Sequence, residues 1–116
     1  MRMVLVLTIV VLCFTVMAEP GRVVDGDTFD AKLSIWLGLY SLDRIRVLGV
    51  DTPEMHGDTL AKATEAKIFT TAWLAKGDVT ISACKRDSFG RLLGAVTRGS
   101  ENLATELIKA GLGVPR

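Results

Sequence analysis

Two stretches of alternating apolar and polar residues constrain the fold of this chain more than any other feature of its sequence. Apolar side chains recur at nearly every second position from Thr28 to Trp36 and again from Arg44 to Val50. This period is typical of strands that bury one face. Residues 36–42 include Gly38 and predict a hairpin extension or turn, and a shorter strand is predicted from Arg22 to Asp25. The domain is therefore expected to begin with three antiparallel strands.

The apolar period changes to that of a helix after the third strand. Helical spacing extends from Leu60 to Lys76 and stops at Gly77. Alternation returns from Val79 to Cys84 and from Arg91 to Thr97, and a short helix is predicted from Asn102 to Ala110. Five strands with a helix between the third and the fourth, and a second helix at the end, are the arrangement of an OB-fold barrel.

The first eighteen residues have the pattern of a secretory signal. Arg2 precedes an apolar run from Val4 to Val16, and the small residue Ala18 comes just before Glu19. The run is shorter than the roughly 20 residues of a membrane-spanning helix. We therefore predict a signal peptide at residues 1–18 and one domain at residues 19–116, secreted or periplasmic and without stable membrane association after cleavage. A domain tethered to the membrane by an uncleaved N-terminal segment is the alternative.

Net charge gives no support for nucleic-acid binding. The chain has 14 basic and 13 acidic residues, and loss of Arg2 with the signal leaves 13 of each. Proteins that bind nucleic acid are usually basic, because neutralisation of phosphates supplies much of their affinity. Any such function must therefore depend on a local site.

The two cysteines are predicted to be separated by processing. Cys13 falls within the predicted signal, which leaves Cys84 as the single cysteine of the mature chain. We expect Cys84 to be a buried thiol at the end of a strand, with no disulfide inside the mature domain.

Three polar clusters stand at strand ends or between strands. They are DGDT at residues 25–28, the stretch from Arg46 to Glu54, and DSFGR at residues 87–91. Taken singly, each is explained as a turn, because Asp, Gly and Pro suit tight turns and strand ends. Taken together, they supply groups that turns alone do not need.

The first two clusters predict a calcium site. Asp27 and Asp51 lie at two predicted strand ends, and neighbouring carboxylates repel each other unless a cation lies between them. Calcium takes carboxylate, carbonyl and water oxygens as ligands. We therefore interpret Asp27, Asp51 and the backbone carbonyl of Thr52 as a candidate Ca²⁺ site.

Three further side chains complete a set suited to cleavage of a phosphodiester. Glu54 is placed to hold or deprotonate a water molecule. Arg46 and Arg91 are permanently charged and match phosphate oxygens through two parallel hydrogen bonds. His56 follows closely in the chain, but a single loop histidine is expected to be solvated rather than catalytic.

These motifs resemble the staphylococcal nuclease (thermonuclease) family over residues 22–113. DGDT, an arginine five residues before DTPE, and FGR occur in the order and spacing of that family. The resemblance implies calcium-dependent hydrolysis of DNA and RNA with little sequence preference, leaving 3′-phosphate and 5′-hydroxyl ends. The residue roles that it implies are calcium ligation by Asp27, Asp51 and the Thr52 carbonyl, activation of water by Glu54, phosphate binding by Arg46, and stabilisation of the transition state by Arg91.

The chain departs from the family pattern in the last cluster. Ser88 and Phe89 stand where the family has a lysine and a tyrosine. We expect Phe89 to stack on a base. Lys85 and Arg86 are candidates for contacts with the nucleic-acid backbone, and an exposed charged hairpin is the alternative for these two residues.

Two other hypotheses stay open beside a monomeric nuclease. The first is a noncatalytic OB-fold module that binds nucleic acid or a protein. The second is an inactive truncated copy, because the chain ends soon after its second predicted helix. A degenerate relative is expected to lose acidic residues or arginines of the set, and this chain keeps them all, which favours the enzyme.

Overall fold

The computed structural model describes residues 13–116. Its strands, in chain order, are β1 (Phe14–Asp25), β2 (Thr28–Trp36), β3 (Leu39–Val47), β4 (Val50–Asp51), β5 (Val79–Arg86), β6 (Leu92–Arg98), β7 (Glu101–Asn102) and β8 (Val114–Pro115). Its helices are a 3₁₀ turn (Gly57–Thr59), α1 (Leu60–Leu74) and α2 (Leu103–Lys109). The order of the long elements is the predicted one, and the two-residue strands β4, β7 and β8 add to it.

Five strands close into a mixed β-barrel in the order β3-β2-β1-β5-β6. Neighbours in this order are antiparallel. The barrel closes where β3 pairs in parallel with β6, from Ile45↔Leu92 to Val47↔Gly94. The predicted five-stranded OB-fold barrel is therefore confirmed.

Strand β1 is longer than the predicted Arg22–Asp25 strand. Its residues Phe14–Ala18 pair with β5, and its residues Ala18–Asp25 pair with β2, with register shifts between Pro20 and Asp25. The strand thus bends from one neighbour to the other. The segment Phe14–Ala18, which lies in the predicted signal, supplies the whole β1–β5 ladder of the barrel. Of the predicted signal peptide, residues 1–12 lie outside the described residues.

The third strand ends earlier than predicted. Alternation suggested one strand from Arg44 to Val50, but β3 ends at Val47 and β4 begins at Val50. Gly49 has φ +95° and makes the turn between them, a backbone conformation that glycine adopts without steric cost. This turn lets β4 leave the barrel and pair with β8.

A single core fills the barrel and extends under both helices. Its largest fully buried side chains include Phe29, Leu33, Ile45, Ile81, Leu103 and Leu107. Helix α1 buries Ala63, Ala66 and Thr70, and small side chains at these positions let the helix lie close to the turn between β1 and β2. Within residues 13–116, neither helix is long and apolar enough to cross a membrane.

The cysteines form a disulfide, which corrects the prediction of a free buried thiol. Cys13 and Cys84 are joined across 71 positions of sequence. Cys84 lies on the exposed side of β5, next to Ala83, which pairs with Phe14 at the start of β1. The bond therefore ties the first described residue to the strand with which β1 pairs.

Candidate active site

The turn DGDT places Asp27 in a buried position at one end of the barrel. The Asp27 side chain is nearly inaccessible to solvent. Its Oδ2 accepts a hydrogen bond from the Thr52 backbone amide at 2.9 Å, and its Oδ1 accepts one from the Thr28 hydroxyl at 3.1 Å. The first polar cluster is thereby fixed to the second, 25 residues further along the chain.

Helix α1 holds this turn from below. The Thr70 hydroxyl donates a 2.7 Å hydrogen bond to the Gly26 carbonyl. A Cβ added at Gly26 would lie 2.7 Å from the Cβ of Ala66. Only a residue without a side chain lets the turn approach the helix this closely.

Arg46 is buried between the two clusters and contacts both predicted metal carboxylates. Its Nη1 donates to the carbonyls of Val47 and Val50 at 2.9 and 2.8 Å. Its Nη2 lies 2.9 Å from Asp51 Oδ1 and 3.3 Å from Asp27 Oδ2. Ile45 and Val47 point into the barrel, as predicted, and Arg46 points to the other face, where the following turn covers it.

The electrostatic environment separates the pKa values of two neighbouring aspartates. Burial raises the pKa of Asp25 to about 6, and the neighbouring Asp27 adds to this effect. Burial also acts to raise the pKa of Asp27, but hydrogen bonds with Asp25 and Thr52 and the charge of Arg46 outweigh it and lower that pKa below its usual value. At pH values between the two pKa values, the pair therefore carries its proton on Asp25 and its charge on Asp27.

Two carboxylates of this site are of the ligand type that a hard cation takes. In residues 13–116, no three acidic, histidine or cysteine side chains converge as a metal cluster. Asp27 and Asp51 nevertheless meet at one guanidinium nitrogen, and the buried Thr52 Oγ1 has no hydrogen-bond partner in the described part of the chain. Calcium accepts carboxylate oxygens and water as ligands, so the two carboxylates suit it by type, and the Arg46 guanidinium lies at the point where they meet.

Glu54 stands at the exposed rim of the site. Its Oε2 lies 2.5 Å from His56 Nε2, and both side chains are about three-quarters exposed. The Thr59 hydroxyl donates to the backbone carbonyl of Glu54 at 2.6 Å and fixes the loop before α1. His56 is solvated, as predicted, but it contacts the carboxylate assigned to water activation.

Arg91 is positioned by the loop between β5 and β6. Its Nε donates to Asp87 Oδ2 at 2.6 Å, and Asp87 Oδ1 accepts from the backbone amides of Phe89 and Arg91. Desolvation acts to raise the pKa of Asp87, but these hydrogen bonds outweigh it and lower that pKa. Asp87 therefore anchors both the loop and the arginine side chain.

All six residues predicted for metal binding and catalysis line one cleft of about 160 Å³. These residues are Asp27, Arg46, Asp51, Thr52, Glu54 and Arg91. They come from the β1–β2 turn, from β3, from β4 with the loop that follows it, and from the end of the β5–β6 loop. The barrel thus brings together groups that lie up to 64 positions apart in the sequence (91 minus 27).

The predicted substrate-binding residues fall into two groups. Lys85 and Phe89 line a second cleft of about 310 Å³, which also includes Arg46 and Arg91 and so adjoins the first. Arg86 lines neither cleft. Its guanidinium donates two hydrogen bonds to Asp43, at 2.9 and 2.8 Å, and one to the Gly90 carbonyl.

Two further charged residues of the cleft are outside the set predicted from the sequence. Asp25 lines the cleft beside Asp27. Both aspartates belong to the motif DGDT, so the sequence could have predicted that Asp25 is also at the site. Arg116 lines both clefts, with Nη1 3.8 Å from Asp51 Oδ1. Arg116 is brought there because β8 pairs with β4, and a two-residue strand has no periodicity from which that pairing could be predicted.

Comparison with known proteins gives a family match across most of the domain. The family described as staphylococcal nuclease homologue matches residues 44–115. This range includes Arg46, Asp51, Glu54 and Arg91, and Asp27 lies before it.

Two curated relatives have names that describe endonucleases. Endonuclease YhcR of Bacillus subtilis (strain 168) is 35% identical over 102 residues, which cover 78% of this chain and 8% of that protein. An uncharacterized endonuclease of Escherichia coli O157:H7 is 30% identical over 102 residues, which cover 87% of this chain and 61% of that protein. The chain thus spans a small part of the first relative and about three-fifths of the second. On the family match, this chain belongs to the staphylococcal nuclease homologue family.

Proposed function

We propose that this protein is a calcium-dependent nuclease that hydrolyses phosphodiester bonds of DNA, RNA or both with little sequence specificity. The observation that carries the proposal is the convergence of the three carboxylates of Asp27, Asp51 and Glu54 with Arg46 and Arg91 on one cleft. A turn-forming role explains each cluster singly, but it gives no reason for all of them to meet. The family, and the endonuclease names of two relatives, support the same reaction class.

In the proposed site, Asp27, Asp51 and the Thr52 carbonyl hold Ca²⁺. The bound ion supplies positive charge that stabilises the negative charge developing on the phosphoryl oxygens. Burial of Asp27 and its hydrogen bond from the Thr52 amide fix one ligand before any metal arrives. The exposed Asp51 supplies the other carboxylate at the end of β4.

In the proposed reaction, Glu54 takes a proton from the attacking water while the water oxygen bonds to phosphorus. The bond between phosphorus and the 5′ oxygen breaks, which leaves a 3′-phosphate and, once that oxygen gains a proton, a 5′-hydroxyl. Arg46 and Arg91 bind the non-bridging oxygens as their negative charge grows, the role in which fixed cations contribute most to catalysis. Lys85 and Phe89, in the adjoining cleft, are proposed to contact the neighbouring nucleotide.

The test is cleavage of plasmid and of denatured DNA by the full chain, with calcium and then with a chelator. Glu54→Gln is expected to lower the cleavage rate by roughly 10²- to 10⁴-fold, and Arg91→Ala by roughly 10²- to 10³-fold. Glu65→Gln and Arg44→Ala are matched controls, because Glu65 lies on the exposed side of α1 and Arg44 pairs with Asp30 on the barrel wall.

Cleavage that persists in the chelator, or full activity in both site variants, would contradict the proposed roles. Binding of DNA without cleavage under any of these conditions would favour the noncatalytic module instead. End-labelling of the products tests the predicted 3′-phosphate.

Export of the domain is also a proposal, and the Cys13–Cys84 disulfide supports it, because such bonds persist in oxidising compartments. Cleavage after Ala18 would remove Cys13 and the segment Phe14–Ala18, with all of its pairs to β5. We therefore propose that any signal cleavage lies before Cys13. The intact mass of the exported protein tests this position, and a mass that begins at Glu19 would overturn it.

A further inference from the structure

The hairpin of β2 and β3 extends beyond the barrel as a two-stranded arm. The last pair between β1 and β2 is Ala18↔Leu33, and β3 meets β6 only from Ile45 to Val47. Residues 34–42 therefore pair only within the β2–β3 hairpin and with no third strand of the barrel. We call these nine residues the apolar arm.

The apolar arm exposes large apolar side chains on both faces. Trp36 is 70% exposed and Leu37 is 90% exposed, and the other large side chains of the arm, which are Ile35, Leu39, Tyr40 and Leu42, are each more than half exposed. Adjacent residues of a strand point to opposite faces, so each face of the arm carries large apolar side chains. At the base of the arm, the Lys32 ammonium lies 4.1 Å from the centre of the Tyr40 ring. No charged residue occurs between Lys32 and Asp43.

A lipid surface fits this arm better than a protein surface. A flat protein partner covers one face of a hairpin and leaves the other in water. The boundary between lipid headgroups and acyl chains surrounds an inserted tip and covers both faces at once. Trp and Tyr, which flank the tip at positions 36 and 40, are the side chains enriched at that boundary.

The direction of β1 supports the same partner. Because β1 runs antiparallel to β2 with Ala18 opposite Leu33, the residues before Ala18 extend toward the end of the barrel that carries the arm. Cys13, the first described residue, therefore lies toward that end of the barrel. In a chain that keeps the apolar sequence before Cys13, that sequence joins the domain at the end that carries the arm.

We propose that the apolar arm inserts into the interface of a lipid bilayer and holds the domain on the membrane surface, which differs from the expectation from the sequence that the mature domain does not associate with a membrane. The candidate active site lies at the opposite end of the same hairpin, where Thr28 pairs with Arg46. Eight residues of extended strand separate Thr28 from Trp36, about 26 Å at 3.3 Å per residue. The clefts thus stay open to water and to a long polymer while the arm is inserted.

The test follows Trp36 in the full chain mixed with phosphatidylcholine vesicles. The chain has two tryptophans, and Trp73→Phe leaves Trp36 as the single one. Its emission is expected to shift to shorter wavelength and to be quenched by lipids with brominated acyl chains, with little dependence on salt. Trp73 is buried in the core, and Trp73→Phe could therefore impair folding. In that case Trp36→Phe assigns the signal, because its remaining tryptophan, Trp73, is expected to stay unquenched.

The double variant Leu37→Ser, Leu39→Ser is expected to lose the quenching of Trp36. Loss of either apolar contact weakens insertion of the tip roughly tenfold or more. Circular dichroism and DNA cleavage in solution are expected to stay unchanged, because both side chains are exposed and far from the clefts. Ile68→Ser, which replaces an exposed apolar residue of α1, is the matched control and is expected to keep the quenching.

Two results would overturn the proposal. In the first, the chain sediments with vesicles while Trp36 stays unquenched, which assigns binding to the N-terminal segment alone. In the second, the chain ignores vesicles and forms dimers in sedimentation that Leu37→Ser, Leu39→Ser abolishes, which assigns the arm to contact between copies of the chain.

Discussion

The Thr70 hydroxyl donates a buried hydrogen bond of 2.7 Å to the Gly26 carbonyl, and so connects α1 with the turn that carries Asp27. Thr70 is fully buried, and replacement by valine would leave the Gly26 carbonyl without this donor. We expect Thr70→Val to lower the free energy of unfolding by about 1–3 kcal/mol and to weaken calcium-dependent cleavage. Urea denaturation and cleavage assays measure the two effects.

Thr71→Val is the matched control for this prediction. The Thr71 hydroxyl is exposed and donates to the Lys67 carbonyl of its own helix, so its loss is expected to change stability little. Equal destabilisation by both variants would argue against a special role of the link between helix and turn.

Gly26→Ala is predicted to damage the site by overpacking. The new methyl group would lie 2.7 Å from Ala66 Cβ and 3.0 Å from two side-chain atoms of Thr52. We expect a loss of about 1–3 kcal/mol in the free energy of unfolding, together with reduced cleavage. The double variant Gly26→Ala, Ala66→Gly removes the closest contact, and recovery beyond the sum of the single effects would show that this contact is the cause.

The long periodic elements of this fold were predictable because each buries one face of a strand or helix. The alternation from Thr28 to Trp36 and the helical spacing after Leu60 reflect such faces directly. Strand β1 was shortened in the prediction because an apolar edge segment and a signal core have the same composition. The turn at Gly49 depends on one backbone conformation, and β8 depends on pairing with a distant strand. Neither feature produces a periodic pattern in the sequence.

The candidate site was predictable where chemistry requires a residue type. The carboxylates and arginines of the main cleft follow from the reaction and from the family motif, and the barrel brings them together. Arg86 and Arg116 show the limit of such reasoning. Arg86 is near the site in sequence, but its hydrogen bonds to Asp43 hold it on another surface. Arg116 is far from the site in sequence, but the pairing of β8 with β4 brings it to the cleft.

Arg86→Ala is expected to impair stability rather than catalysis. Arg86 donates two hydrogen bonds to Asp43. These bonds lower the pKa of the Asp43 carboxyl and outweigh the desolvation that acts to raise it. The pair's contribution is therefore present above the unfolded pKa of Asp43 and is lost as pH falls through its lowered folded value. Thermal unfolding at pH 7 should show a reduced Tm, with kcat and KM for DNA close to wild type.

Arg91→Ala is the contrasting variant, since it is expected to lower kcat much more than Tm. A large rise of KM in Arg86→Ala without loss of stability would restore the role in binding nucleic acid that the sequence suggested for this residue.

Asp25→Asn is predicted to stabilise the metal-free domain near neutral pH. Burial raises the pKa of Asp25 to about 6 from its usual value of 3.8. The folded state thus binds this proton more tightly than the unfolded state, and the charged side chain opposes folding increasingly as pH rises from about 4 to 6. Above that range the variant should be more stable by on the order of 1–2 kcal/mol, allowing for the partial exposure of the side chain.

Urea denaturation in chelator from pH 4 to pH 8 measures this difference. The advantage of Asp25→Asn should shrink as pH falls through 6 and disappear near pH 4. A difference that does not change with pH would assign the effect to packing or hydrogen bonding and not to ionisation.

Removal of the disulfide is predicted to open the junction between β1 and β5 first. Cys13 and Cys84 close a loop of about 70 residues. A disulfide typically contributes about 2–4 kcal/mol to stability, mainly because it restricts the unfolded chain. Cys84→Ser in a chain that keeps Cys13, or wild type under reducing conditions, should lose this amount in urea denaturation. Because the bond lies beside the pairs from Phe14↔Ala83 to Ala18↔Val79, amide hydrogen exchange should rise there before it rises around Asp27. An equal rise at both places would mean that the barrel unfolds as one unit and that the bond acts on the whole domain.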